Sequence, residues 1–238
     1  MESKPTVFIV DDDPTAADSV ATLVQANGVL AEVFRSADEF LGAFDSSRTG
    51  CIVLDFNLPG MNGRDLRAAL VARHCYLPII LLTGMASVEM AVQAMEDGAF
   101  SVLEKNSHTP DLWKKIASAL AADAAAHQEY IAQAEAARRL ATLTPDETEV
   151  LNRLIGGQTN KQIAHELDIG LRTAELRRAR MLEKLNVGSL PELVQLVLLA
   201  RNPPSRRRFD VTPPALRNSA LSTGPADAEQ KKRRLPSD

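Results

Sequence analysis

Asp11, Asp12 and Asp13 directly follow the apolar run TVFIV, and Asp55 directly follows CIVL. Carboxylates that close apolar runs stand at strand ends, and in a parallel sheet the functional residues gather at that shared edge. Like charges brought together there repel one another unless a cation neutralises them. Hard carboxylate oxygens around a partly hydrated ion favour Mg2+. Thr83 ends the run IILL and Lys105 follows VLE, so a hydroxyl and an ammonium join the same edge. An aspartate nucleophile, Mg2+, a hydroxyl donor and a lysine together suit phosphoryl transfer, where positioning and charge neutralisation dominate. A single Asp after a strand is usually a turn residue. Five chemically matched groups at four strand ends are hard to obtain from turn chemistry alone.

The elements that must position these groups are legible in the alternation of short apolar runs with amphipathic stretches, which predicts parallel strands joined by crossover helices. Strands are expected at Thr6–Val10, Ala31–Phe34, Cys51–Leu54, Ile79–Leu82 and Ser101–Leu103. Helices are expected from Pro14 to Asn27, Ala37 to Phe44, Arg64 to Arg73 and Val88 to Asp97, with Gly28 and Gly98 as stops. The pattern fits a doubly wound, flavodoxin-like α/β sheet. From Pro110 to about Leu140 no helix breaker occurs and alanine is abundant, so a single helix of roughly 45 Å is expected. Its apolar face (Leu112, Ile116, Leu120) thins to alanine, which leaves two readings open, a solvated linker or a dimerising coiled coil.

Beyond it, Pro145–Ile155, Asn160–Leu167, Leu171–Leu185 and Pro191–Ala200 read as four helices separated by turn signals. Helix, short turn, helix is a DNA-reading arrangement when the second element carries exposed basic residues. Here the third helix supplies Arg172, Arg177, Arg178 and Arg180. After Arg201, Pro203, Pro204, Pro213, Pro214 and Pro225 interrupt a polar stretch that carries KKRR at 231–234, and disorder is expected there.

With 238 residues and 45% hydrophobic content, the chain suits two modest domains. Its net charge of −4 conceals a gradient: residues 1–120 carry 9 Lys/Arg against 16 Asp/Glu, and residues 201–238 carry 9 against 4. A basic end is compatible with nucleic acid. The N-terminus lacks an apolar leader and no window reaches the roughly eighteen apolar residues needed to cross a bilayer, so a cytoplasmic protein without membrane partners is expected. The two cysteines, Cys51 and Cys75, have no ligand-like spacing and read as structural thiols.

FIVDDD, CIVLDFNLPGMNG, LLTG and GAFSVLEK resemble the receiver domain of response regulators over about residues 1–120. The resemblance implies that Asp55 accepts a phosphoryl group from a sensor histidine kinase. It also implies that Asp12, Asp55 and the backbone carbonyl of Asn57 ligate Mg2+, with Asp11 acting through water. Thr83 and Lys105 would each meet a phosphoryl oxygen. Two positions depart from the family pattern. Val102 stands where an aromatic ring usually reports phosphorylation, and Phe100, two residues earlier, is a candidate substitute, on the same face if the strand extends that far. Asn106 stands where a cis-proline is usual; a cis bond there would cost roughly 2.5–4 kcal/mol, so a trans peptide and a slightly displaced Lys105 are expected.

The segment 143–200 resembles the LuxR/FixJ-type helix-turn-helix, carried by Leu143-Thr144, Gly157, Asn160-Lys161, Ile163-Ala164, Leu167, Arg172-Thr173, Glu175, Arg178-Ala179 and Lys184-Leu185. With the receiver this is similar to the NarL/FixJ subfamily. Domains are accordingly expected at 1–120 (receiver), 121–141 (helical linker), 142–202 (DNA-binding) and 203–238 (tail). By family position, Glu175, Leu176 and Ala179 face base edges, while Lys161, Thr173, Arg178 and Lys184 hold the backbone; Arg172, Arg177 and Arg180 offer further phosphate contacts. Gly170 replaces the usual serine cap, Arg177 a common histidine. The implied partners are the kinase, operator duplex and a second copy on phosphorylation, with RNA polymerase a further candidate. A phosphorylation-independent receiver used for docking is the main rival. An Asp-nucleophile phosphatase is disfavoured, since Asn57 stands where such enzymes commonly place an acidic proton donor.

Overall fold

In the computed structural model, residues 4–201 are described apart from 46, 62, 74, 76, 85, 86, 107 and 108. The basic tail at 203–238, with its KKRR run, lies outside the described residues. Five strands, β1 (Thr6–Val10), β2 (Leu30–Phe34), β3 (Gly50–Asp55), β4 (Ile79–Thr83) and β5 (Ser101–Glu104), pair in parallel in the order β2-β1-β3-β4-β5. Every residue of β1, β3 and β4 is buried, as expected of strands covered on both faces, and this is why they read as unbroken apolar runs.

One face packs Phe8, Val10, Ile52, Leu54 and Leu81 against α2 (Ala37–Ala43), α3 (Gly63–Ala72) and α4 (Val88–Glu96). The other packs Val7, Ile9, Val53, Ile80 and Leu82 against α1 (Pro14–Ala26) and the first turns of α5 (Thr109–Leu140). The alternation along each strand delivers successive side chains to the two cores. Val102 packs in the first core and Phe100 in the second. The expectation that they share a face therefore fails: β5 begins at Ser101, so strand alternation does not extend back to Phe100. The Lys105–Asn106 peptide is trans, as expected; no cis bond occurs among the described residues.

The 32-residue helix α5 belongs to both halves of the molecule. Ile116 and Ala119 lie in the receiver-side core, and Asp123, 1% exposed, accepts a 2.9 Å hydrogen bond from the Gly50 backbone N–H at the start of β3. Gly50 has φ +145°, and a Cβ there would lie 1.8 Å from the Thr6 carbonyl oxygen. Farther on, Gln133 and Ala136 are buried, Ala136 within a core it shares with Val150, Leu154, Ile163, Met181, Leu185 and Leu193. The stretch read as either solvated linker or coiled coil thus furnishes part of the C-terminal core, packing chiefly on α9 (Leu190–Arg201).

The remaining helices, α6 (Pro145–Ile155), α7 (Asn160–Glu166) and α8 (Leu171–Leu185), close that core. Capping boxes start α6 (Thr144 with Glu147) and α7 (Thr159 with Gln162), each satisfying two otherwise orphaned donors. Gly170 caps α8 without a side-chain bond, and Asn186 ends it in the left-handed region at φ 51°. No helix among the described residues is long and apolar enough to cross a membrane.

Candidate functional site

The strand ends bring the acidic residues together. Asp11 follows β1 and is 2% exposed; Asp55 ends β3 and is 5% exposed; Asp12 is open to solvent. Carboxylate oxygens of these three lie within 4.8 Å of one another. Asp13 is instead the N-cap of α1, accepting from the Thr15 N–H at 2.9 Å, so it serves the helix rather than the cluster. Two short loops fix the carboxylates: the Asp13 N–H donates to Asp11 Oδ1 at 3.0 Å, and the Asn57 N–H to Asp55 Oδ1 at 3.3 Å.

Lys105 completes the arrangement. Its N–H donates to the Thr83 carbonyl at 2.7 Å, continuing the β4–β5 ladder by one residue. Its Nζ lies 2.9 Å from Asp11 Oδ2 and 3.1 Å from Asp55 Oδ2, so the trans bond to Asn106 does not keep it from the pocket. Thr83, 1% exposed, ends β4 beside them. Burial holds the Asp11 carboxyl above its usual range, although its bonds from Lys105 and Asp13 pull the other way. For Lys105, burial would weaken the ammonium, but the hydrogen bonds and charges of Asp11 and Asp55 outweigh it and its pKa is raised.

Three carboxylates and one ammonium carry a formal charge of −2, which matches a divalent cation. Oxygens sharing one Mg2+ at 2.0–2.1 Å lie about 3–4 Å apart, so small side-chain movements suffice. The donor set is all oxygen, which suits Mg2+ and not a soft metal.

The second candidate surface lies on α8. Ala174, Met181 and Leu185 face the core, which turns Arg172, Thr173, Glu175, Leu176, Ala179 and Arg180 to solvent. Leu176 is 49% exposed, a large apolar side chain left open to solvent among charged neighbours. Lys161, near the start of α7, is exposed as well. Three basic residues expected to face DNA are engaged within the protein. Arg177 pairs with Asp146 of α6 at 2.5 Å, and Arg178 Nη1 donates to Asn160 Oδ1 of α7 at 3.0 Å. Lys184 Nζ lies 2.7 Å from Glu147, whose other bond comes from the Thr144 N–H at 2.9 Å. The bond from Lys184, then that from Thr144, holds the Glu147 carboxyl below its usual range.

Asp146 and Glu147 were not singled out from the sequence, and Asn160 was read only as part of the helix-turn-helix pattern, not as a partner of Arg178. Only Glu147 had a local signal, three residues after Thr144 at a helix start; the others act across helices. Asp123 likewise carried no sequence signal, because its partner lies 73 residues away.

Residues 7–117 match the family described as "Response regulator receiver domain", and residues 141–197 match "Bacterial regulatory proteins, luxR family". Among relatives, the transcriptional regulatory protein FixJ of Bradyrhizobium diazoefficiens is 38% identical over 84% of this chain and 98% of its own length. TdiR of Thauera aromatica, also a transcriptional regulatory protein, is 34% identical over 81% of this chain and 85% of its own. The solved structure of the response regulator StyR superposes with a TM-score of 0.76 at 37% identity, covering 82% of this chain and 99% of that one. Matching domains at both ends, in the order and over nearly the full length of such relatives, identify the chain as a response regulator of the NarL/FixJ subfamily, a receiver joined to a LuxR-type helix-turn-helix.

Proposed function

We propose that the chain is a phosphorylation-controlled transcription factor whose receiver takes a phosphoryl group on Asp55 and whose α8 reads operator DNA. One observation carries this reading: the Asp55 carboxylate is almost fully buried at a strand end, yet bonded to Lys105 and adjacent to two further carboxylates. Burying that much like charge without a purpose is costly.

In the proposed step an Asp55 oxygen attacks the phosphorus of a kinase phosphohistidine. The P–N bond breaks as the P–O bond forms, and the imidazole keeps the electron pair and takes up a proton. Asp12, Asp55 and the Asn57 carbonyl would hold Mg2+, with Asp11 acting through water; the ion supplies charge neutralisation of the phosphoryl oxygens. Phosphorylation adds roughly −1.5 to −2 charges beside Lys105 and Thr83. Lys105 exchanges its present carboxylate partners for a phosphoryl oxygen, and the Thr83 hydroxyl meets another. The altered face around α4 and β5 then favours a second copy, pairing two α8 helices on two half-sites. The chain is not a metabolic enzyme in this reading: loss of the phosphoryl group sets the duration of the signal.

On α8, Glu175, Leu176 and Ala179 meet base edges, Glu175 accepting from a cytosine amino group. Arg172, Thr173 and Lys161 meet phosphates. Arg178 keeps its charge while bonded to neutral Asn160 and remains able to serve there; Arg177 and Lys184 brace the helix. The functional units are the receiver at 1–120, the helical segment 121–141 and the DNA-binding domain at 142–202.

Val102, packed in the core with no ring to rotate, favours a second reading in which the receiver docks partners independently of phosphate. Treatment with a small phosphodonor separates the two. The first expects the wild type to take up phosphate in a hydroxylamine-labile bond that Asp55→Asn lacks, with phosphate-dependent dimerisation and tighter binding to selected genomic fragments in the wild type. Equal sedimentation and equal DNA affinity for wild type and Asp55→Asn after treatment would favour the second.

A further inference from the structure

Between α3 and α4, over β4, lies a cavity of about 190 Å³. Its floor is Ile79, Leu81, Ala94 and Ala99, all buried. Folded interiors rarely leave voids much larger than a water molecule, and an apolar cavity of about 150 Å³ is enough to hold benzene. The short side chains of Ala94 and Ala99 leave this space open.

Arg67 of α3 stands at its rim, half-buried. Its guanidinium makes no hydrogen bond or ion pair among the described residues. Burial pushes its pKa down, and the more distant charge of Asp97 only partly offsets this. A guanidinium removed from water without a hydrogen-bonded counter-ion is an unfavourable arrangement that an anion would relieve. Asp97, by contrast, is engaged, accepting from Gln93 Nε2 at 3.3 Å. Its negative charge at the same rim repels incoming anions, which disfavours a ligand carrying more than one carboxylate. Phe56 and Met90 line the remaining wall and offer an aromatic ring and a polarizable sulfur to a flat apolar body.

We propose that this cavity is a ligand site for a small aromatic monocarboxylate, its ring on Ile79, Leu81 and Ala94 and its carboxylate forked on Arg67. One wall is α4 and another is Phe56, the residue after Asp55. The site is nevertheless distinct from the acidic pocket and does not depend on phosphoryl transfer.

Benzoate titrated calorimetrically into the full chain should bind saturably at one site and raise the melting temperature. Arg67→Met should weaken it about tenfold or more, and benzamide, similar in shape but neutral, should bind correspondingly less well. Ala94→Leu, which fills the void, should abolish binding while preserving the circular dichroism spectrum. Asp55→Asn should bind benzoate like the wild type, which keeps this test separate from that of the phosphorylation reading. The proposal is overturned by an absence of saturable benzoate binding to the folded wild type. It is equally overturned if binding survives Arg67→Met, a change on a half-exposed helix face that the fold tolerates.

Discussion

Arg172 and Lys184 carry the same charge on the same helix but occupy different electrostatic situations. Arg172 is exposed and has no ion-pair partner among the described residues; Lys184 is neutralised by Glu147 at 2.7 Å. A free cation that meets a phosphate releases a condensed counterion, so log K falls with log salt by about 0.9 per contact. A cation already paired inside the protein gives no such release unless its internal bond breaks. In a dimer each position occurs twice, so Arg172→Met should flatten the salt slope by about 1.8. Between about 50 and about 200 mM salt, those two contacts amount to about a twelvefold change in affinity. Lys184→Met should leave the slope nearly unchanged and instead weaken the C-terminal module. Loss of one half-exposed charge-assisted bond costs about 1 kcal/mol, or about 4–8 °C for a domain of this size. Fluorescence anisotropy with a labelled duplex over a salt series, paired with thermal melts, measures both. Wild-type slope in Arg172→Met, or the same flattening in Lys184→Met, would refute the division between gripping and bracing residues.

Lys105→Met should raise the acidic cluster's affinity for Mg2+ by about tenfold or more, because it removes an ammonium held near two of the ligands; the Coulomb effect of a unit charge at such range is about 4 kcal/mol before screening by solvent. Isothermal titration would detect it, and an unchanged or weaker affinity would count against the assigned ligands. Stability of the C-terminal module should depend on acid through Glu147. Its folded pKa is depressed below its ordinary 4.5, so its contribution is complete above that value and is lost as pH falls through the lower folded value. Lys184→Met should shrink that acid-dependent loss, measurable as a smaller fall in melting temperature on acidification. Gly50→Ala should cost about 3 kcal/mol or more, since the residue sits at φ +145° with no room for a Cβ; denaturant titration giving a loss under about 1 kcal/mol would contradict the close approach to Thr6.

The strands and the acidic cluster were legible because both rest on local pattern. TVFIV, CIVL and IILL are buried on two faces and cannot be mistaken for half-exposed strands, and their successors must stand at one sheet edge. The span of α8 was legible as well, Leu171–Leu185 in both the sequence pattern and the structure. What stayed hidden depends on tertiary neighbours. Ala136 enters the second core and Gln133 is buried nearby along the helix, but an alanine and a glutamine give no apolar stripe to read. The charge on α8 was visible, whereas its neutralisation by Asp146 and Glu147 was set by a different helix. Phe100 misled because alternation holds only inside a strand, and β5 starts one residue later.

Helix α5 is clamped at Asp123 by the sheet and at Ala136 by the far core, leaving an intervening span of about 20 Å at 1.5 Å per residue. Such a shaft has a phase as well as a length. One residue added between the clamps would turn the DNA-reading head by about 100° relative to the receiver, whereas seven would return it to within about 20° of its original azimuth. Insertions at 124–132 should therefore affect paired binding periodically, in step with the helical turn rather than with the distance gained.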